Sequence, residues 1–270
     1  KEIRPFSFSE YLEYHNIHLP QHWELSPIRA DVVRLFSDYF YYGGLSEVFD
    51  IQDKKSWLQS LYQKILYSDI VMRKGVRNER SLRLLIRKLA DSVMQPTAIK
   101  RLQDILQGDG TKITRDTIGS YLDYLHESYL TFGISSFTDS VSQRESIKKR
   151  YFYDNGILNL FLFLPETKLL ENLVAIKLYN KYGDDLYYYN KNVEVDFCVP
   201  NDGLLIQASY RMIDEATRNR EIGALQKLSK FIKPQRCIIV TYDQEEIIQS
   251  NDLDVQIEVI PAYKFMLMAL

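Results

Sequence analysis

Arg144, Lys148, Lys149 and Arg150 put four basic side chains within seven positions of this 270-residue chain. Such a cluster suits phosphate groups, whose charge it can neutralise without reading base sequence. Arg115 adds a fifth candidate for a base or phosphate contact. Residues 61–150 carry 16 Lys+Arg against 10 Asp+Glu, while the rest of the chain carries 18 basic and 26 acidic residues. That asymmetry fits either a nucleic-acid footprint or a solvated helical surface. His15, His18, His22 and His126 show no ligand spacing with Cys198 or Cys237, which argues against zinc. The two cysteines sit in apolar, strand-like runs and read as buried thiols of a reducing cytoplasm rather than a disulfide. None of the eleven glycines precedes a lysine, so the chain holds no G-x-x-x-x-G-K-[ST] phosphate cradle. ATP binding and turnover by this chain are therefore not expected, and no cofactor is assigned to it.

The elements that must position these residues follow from periodicity. Helices are predicted over 7–17, with Ser7 or Ser9 as cap, over 31–42 up to Gly43-Gly44, over 56–73 and over 80–93. Residues 97–134 read as a helix-turn-helix. Ala98–Leu106 is its first helix, Gln107-Gly108-Asp109-Gly110 its turn, and Thr114 caps a second helix with Ile118, Tyr121, Leu122, Leu125 and Tyr129 inward. Strands over 131–138 and 150–153 flank a polar loop, 139–149, and the whole resembles a winged helix with that loop as the wing. A helix over 169–182 then leads into strands at 186–189, 193–199 and 204–208, a helix capped by Asp214, strands at 236–242 and 255–260, and a last apolar helix. The strand 193–199 alternates, with Val193, Val195, Phe197 and Val199 on one side and Glu194, Asp196 and Cys198 on the other. The fold class is thus α/β. No apolar stretch approaches the length of a membrane span, so no membrane partner is expected, and Lys1–Pro5 has no signal-peptide core. The missing initiator methionine suggests a chain that begins further upstream.

An ordered set of short blocks resembles the C-terminal part of a large family of prokaryotic AAA-type ATPases. The blocks are Glu2-Ile3-Arg4-Pro5-Phe6-Ser7-Phe8-Ser9-Glu10-Tyr11, Gly43-Gly44-Leu45-Ser46-Glu47-Val48, Tyr121–Leu125, Tyr151–Gly156, Leu170–Val174, Glu194–Phe197 and Leu205–Tyr210. Ser46 departs from the family's proline. The resemblance implies a helical segment (1–78) following an AAA module, a winged-helix module (79–153) and a nuclease-like α/β domain (154–270). It also implies a cytoplasmic parent protein that binds ATP and Mg²⁺ through a module outside this chain. The partners it implies are that AAA module together with DNA or another protein, met through the winged helix.

The last domain, in the order α-β-β-β-α-β, looks like the PD-(D/E)XK nuclease fold. That resemblance gives Asp196 the first acidic position and Glu171 the helix glutamate, a weak metal-holding pair. Gln207 replaces the second acid and Ser209 the lysine. A neutral amide is a poor ligand for a hard cation, so no catalysis is expected. Glu194 and Arg211 are the residues that could rescue a migrated site. Two alternatives stay open: a metal-dependent nuclease with such a site, and a stand-alone DNA-binding regulator.

Overall fold

The computed structural model describes residues 4–108, 110, 112–249 and 255–270. Glu2 and Ile3 of the first block and Asp109 of the predicted turn lie outside them. Ser7 and Glu10 close a reciprocal capping box that starts α1 (Phe8–Tyr14). Helix α2 (Ile28–Tyr42) ends at Gly43, whose φ of 79° and ψ of −164° only glycine adopts readily. Helix α3 (Lys54–Lys64) runs on as a π-helical turn, Ile65–Met72, so the predicted single helix changes its winding midway. Helix α4 (Glu79–Asp91) buries Leu82, Leu85, Ile86 and Leu89 as the spacing requires.

Next come β1 (Pro96–Ala98), α5 (Ile99–Gly108) and α6 (Arg115–Glu127), the last capped by the Thr114 hydroxyl, which accepts from the Thr117 amide. Strand β2 (Thr131–Ser136) is joined to β3 (Ile147–Phe152) through a short helix, α7 (Val141–Ser146). The predicted polar loop is therefore mostly ordered. Ser140 and Gln143 cap its helix, and Lys148 and Lys149 belong to β3. Tyr129, expected inward, is half exposed at a positive φ of 53°.

The remainder consists of α8 (Asn155–Asn159), α9 (Glu166–Tyr182), β4 (Tyr187–Tyr189), β5 (Val195–Val199), β6 (Leu204–Ala208), α10 (Glu215–Ser229), β7 (Arg236–Thr241), β8 (Glu246–Ile248), β9 (Ile257–Pro261) and α11 (Ala262–Leu267). Among the described residues one mixed sheet holds all these strands in the order β1-β3-β2-β4-β5-β6-β7-β9-β8. Strands β6, β7 and β9 run parallel, and the join across the middle is a parallel pairing of only Ser135 with Tyr187 and Ser136 with Tyr188.

Alternation along the strands sends side chains into two cores. Phe197, Ile206, Ile238 and Val240 join the large cluster that reaches α1, α2 and α4, whereas Leu205, Cys237 and Ile239 join Leu225 and Leu228 of α10. In β5 the alternation predicted over 193–199 breaks. Val195 and Cys198 enter the α10 core together, beside a register irregularity between Tyr187 and Tyr189 of β4. Both cysteines are buried and free, and burial pushes both thiols up to about 12. Among the described residues no helix is long and apolar enough to cross a membrane.

Most of the sequence blocks meet in space. Gly44 accepts from the Phe6 amide (2.7 Å) and donates to Asp154 Oδ2 (2.8 Å), while Asp154 Oδ1 takes the Ile157 amide. A β-carbon on Gly43 would lie 2.1 Å from that carboxylate, and one on Gly156 would lie 2.2 Å from the Tyr42 carbonyl. Asn155 Nδ2 donates to Phe40 O and Leu169 O, and Asn172 grips both backbone polar groups of Phe152. These residues clamp α2, α8 and α9 onto the end of β3. Their chemistry is spent on satisfying buried backbone groups.

Candidate functional site

The most charged interior point of the protein lies where β3, α9 and β5 meet. Lys149 on β3 has no exposed surface, and its Nζ lies 3.1 Å from Asp196 Oδ1, 3.2 Å from Glu194 Oε1 and 3.4 Å from Glu171 Oε1. The Tyr151 hydroxyl, two residues along the same strand, donates to Glu171 Oε1 at 2.7 Å. The ring of Tyr188 lies 5.7 Å from the ammonium. Asp196 Oδ2 accepts the Ala208 amide (3.0 Å), and Gln207 Oε1 accepts the Asp196 amide (2.8 Å) while its Nε2 donates to Glu194 O.

Burial opposes the Lys149 charge, but the fields of Glu171, Asp196 and Glu194 and the Asp196 hydrogen bond outweigh it and hold the ammonium protonated above the ordinary lysine range. Burial, reinforced by Asp196, raises Glu171 well above the usual carboxylate range, against the pull of Lys149 and Tyr151. Glu221 on α10 is also buried and raised by its desolvation, with Arg220 as its partner. Glu171, Glu194, Asp196, Gln207, Ser209 and Glu221 all line one cleft of about 560 Å³.

The predicted nuclease residues thus come together, but around an ammonium rather than around space for a metal. A divalent ion needs about six oxygen ligands at 2.0–2.6 Å, and here the carboxylates converge on Lys149 instead. Among the described residues no group of three His, Cys, Asp or Glu side chains is placed to hold a metal ion. The Asp196–Glu171 metal pair therefore does not fit this site. Asp196 stands on an interior strand, since β5 is flanked by β4 and β6, and Glu171 on α9. Gln207 is a buried amide satisfied by backbone groups. The Ser209 hydroxyl points to Arg211 O at 3.5 Å, and Arg211 is exposed over the Tyr210 ring, so it stands in for no lysine.

Two of the predicted phosphate contacts are corrected by the same geometry. Lys149 is consumed by the acidic cluster, and Arg150 is buried, its Nη1 donating to Thr97 O and Lys148 O while burial lowers the guanidinium to about 10. Both are covered by what packs on β3, Lys149 by Glu171 of α9 and Asp196 of β5, and Arg150 by Thr97 of β1. Arg144 is folded back onto Phe137 O and Asp139 O, with the Tyr187 ring 5.2 Å away. Lys148 remains partly accessible, in a small cleft with Asp123 and Glu145.

Arg115 is exposed at the start of α6, its Nε donating to Gln103 Oε1 (3.2 Å). Around it sequence reasoning missed Lys100, Arg101 and Lys112, which are exposed and have no ion-pair partner among the described residues. Their signal was available in the helical register of α5 and the residues leading into α6. Of the histidines, His18, His22 and His126 are exposed, and His15 packs on Tyr11 and Phe49.

Comparison with known proteins adds a family and two relatives. Residues 33–168 match a family described as a domain of unknown function, DUF8612. An uncharacterized protein of Methanocaldococcus jannaschii is 31% identical, over 98% of this chain and 63% of its own length. An uncharacterized protein of Haemophilus influenzae is 27% identical, over 78% of this chain and 53% of its own length. The chain thus spans between half and two thirds of these curated relatives. No solved structure matches it.

Proposed function

From the premise that the chain belongs to the DUF8612 family, we propose that it is a non-catalytic recognition part of an AAA-type ATP-binding protein, reading duplex nucleic acid through α5 and α6. The observation that carries this reading is an exposed basic set, Lys100 and Arg101 at the start of α5, Lys112 in the segment leading into α6, and Arg115 at the start of α6. A winged-helix reading of that unit is supported by its order, α4-β1-α5-α6-β2-β3, in which β1 and β2 both pair antiparallel with β3. The nuclease-like reading of the other half is supported by α9-β4-β5-β6-α10-β7 with β6 and β7 parallel. Gln207, a neutral amide spent on the Asp196 amide and Glu194 O, weighs against a nuclease with a migrated site.

The AAA part of the proposal is supported by the ordered sequence blocks and by the greater length of both relatives. ATP and Mg²⁺ would be bound by that other module. In this reading the chain itself contacts phosphates, because lysine and arginine at and just before helix starts neutralise backbone charge and fix register. Asp104 and Asp116 on the same helices limit the affinity.

The test is fluorescence anisotropy on a labelled duplex at several salt concentrations. Binding should be salt-sensitive, and Lys112→Glu with Arg115→Glu should weaken it tenfold or more on every sequence, since each lost phosphate contact lowers the salt slope by about one. No binding at low salt, or binding indifferent to both reversals, would sink the nucleic-acid reading in favour of a protein partner.

A further inference from the structure

We propose that Lys149 is the resident cation of the acidic cluster: its ammonium takes the place of a metal ion and, carried on β3, latches the helix-rich half of the chain to the α/β half. The proposal does not depend on which partner α6 meets.

Three features carry it. An ammonium has three N–H donors and no acceptor, and here it faces three carboxylates from two separate elements, α9 and the β5 segment, at 3.1 to 3.4 Å. Lys149 is wholly buried, and a buried ammonium without counter-charge is strongly unfavourable, so the surrounding acids hold it in place. Finally, the direct strand pairing between the halves is two residue pairs wide, with one further bond from the Phe137 amide to Tyr188 O. Lys149 reaches across that narrow join into α9 and β5, and Tyr151 repeats the crossing two residues on through Glu171.

The surrounding donors support the same assignment. Gln207 directs its oxygen to the Asp196 amide rather than to the centre of the cluster. Asp196 Oδ2 is engaged by the Ala208 amide, which leaves Oδ1 for the lysine. Glu194 is more than half exposed at the mouth of the cleft, so a small cation could reach the carboxylates if the lysine were absent. Lys149 is thus a positioning residue that substitutes for a metal in charge and in place.

The experiment uses the whole chain, with Mn²⁺ as the probe followed by calorimetry and thermal melting. The native protein should show no stoichiometric Mn²⁺ uptake in the micromolar range. Lys149→Met should melt well below the native chain, take up about one Mn²⁺ and regain melting temperature in proportion, and Asp196→Asn in that background should abolish the uptake. Should Lys149→Met not fold, Lys149→Met with Glu171→Gln, which removes the buried pair together, should recover a folded chain. The proposal is overturned by an Asp196-dependent Mn²⁺ ion in the native protein. It is equally overturned by a Lys149→Met chain as stable as the native one, by one that ignores Mn²⁺, or by a double variant that also fails to fold.

Discussion

Lys149 and Arg115 come from one basic segment and meet opposite fates. Lys149 is wholly buried, with three carboxylates on it, whereas Arg115 stands in solvent with a glutamine as its only hydrogen-bond partner among the described residues. The difference lies in the elements beneath them. On β3 the side chain of Lys149 is covered by α9 and the β5 segment, whose carboxylates surround it. Helix α6 buries Ile118, Tyr121 and Leu125 and leaves its opposite face free. A run of like charge therefore says little about a partner until each residue is placed on a strand face or a helix face. Under the proposed function the inward lysine acts on stability and the outward arginine on binding.

The contrast is broken or sharpened first at Lys149. Removing its charge as Lys149→Met leaves Glu171, Glu194 and Asp196 crowded together without their shared counter-ion, at a cost of about 3–5 kcal/mol. Urea denaturation should register the loss as a lower midpoint. A change within ~0.5 kcal/mol, the range of ordinary surface sites, would place Lys149 with the outward group.

Asp154 is the next step down, an inward acid whose partners are backbone amides rather than charges. Asp154→Ala frees the amides of Gly44 and Ile157 inside the protein and should cost roughly 1–3 kcal/mol. Its pH dependence has a definite sign. Burial pushes the Asp154 carboxyl up to about 6, above its value in an unfolded chain, despite the amides that pull it down. Its protonated form is thus favoured by folding. The contribution to stability is fully present below about pH 4 and is lost as pH rises through about 6. The stability difference between the native chain and Asp154→Asn should accordingly shrink from pH 4 to pH 7. A difference that is flat or grows would mean the carboxyl is not raised.

On the outward side the expected effects on folding are smallest. Lys100→Glu, Lys112→Glu and Arg115→Glu should each leave stability within ~0.5 kcal/mol while lowering duplex affinity. A loss above 2 kcal/mol at any of them would erase the distinction between the two groups.

How much of this was legible beforehand varies with the residue. Ser7, Thr114 and Asp214 cap helices where their types and the following apolar spacing place them. Gly43 ends α2 for the reason its type suggests. Glu171, Asp196, Gln207 and Ser209, singled out in the sequence, line one cleft. What local pattern could not carry was the partner of that cluster. Lys149 lies 22 residues from Glu171 and 47 from Asp196, and the packing of α9 on β3 together with the join of β2 to β4 brings them together. The break of alternation at β5 was hidden for a related reason, because it comes from the register irregularity against β4 rather than from the residues of β5.

The central claim is that the acidic cluster is neutralised by a lysine and does no phosphodiester chemistry, while the outward face does the recognising. Incubation of the native chain with supercoiled plasmid and Mg²⁺ or Mn²⁺ tests it most directly. The account expects the plasmid to stay supercoiled at protein-to-DNA ratios where α6-dependent binding is saturated. Nicking that needs the metal and disappears in Asp196→Ala would contradict it.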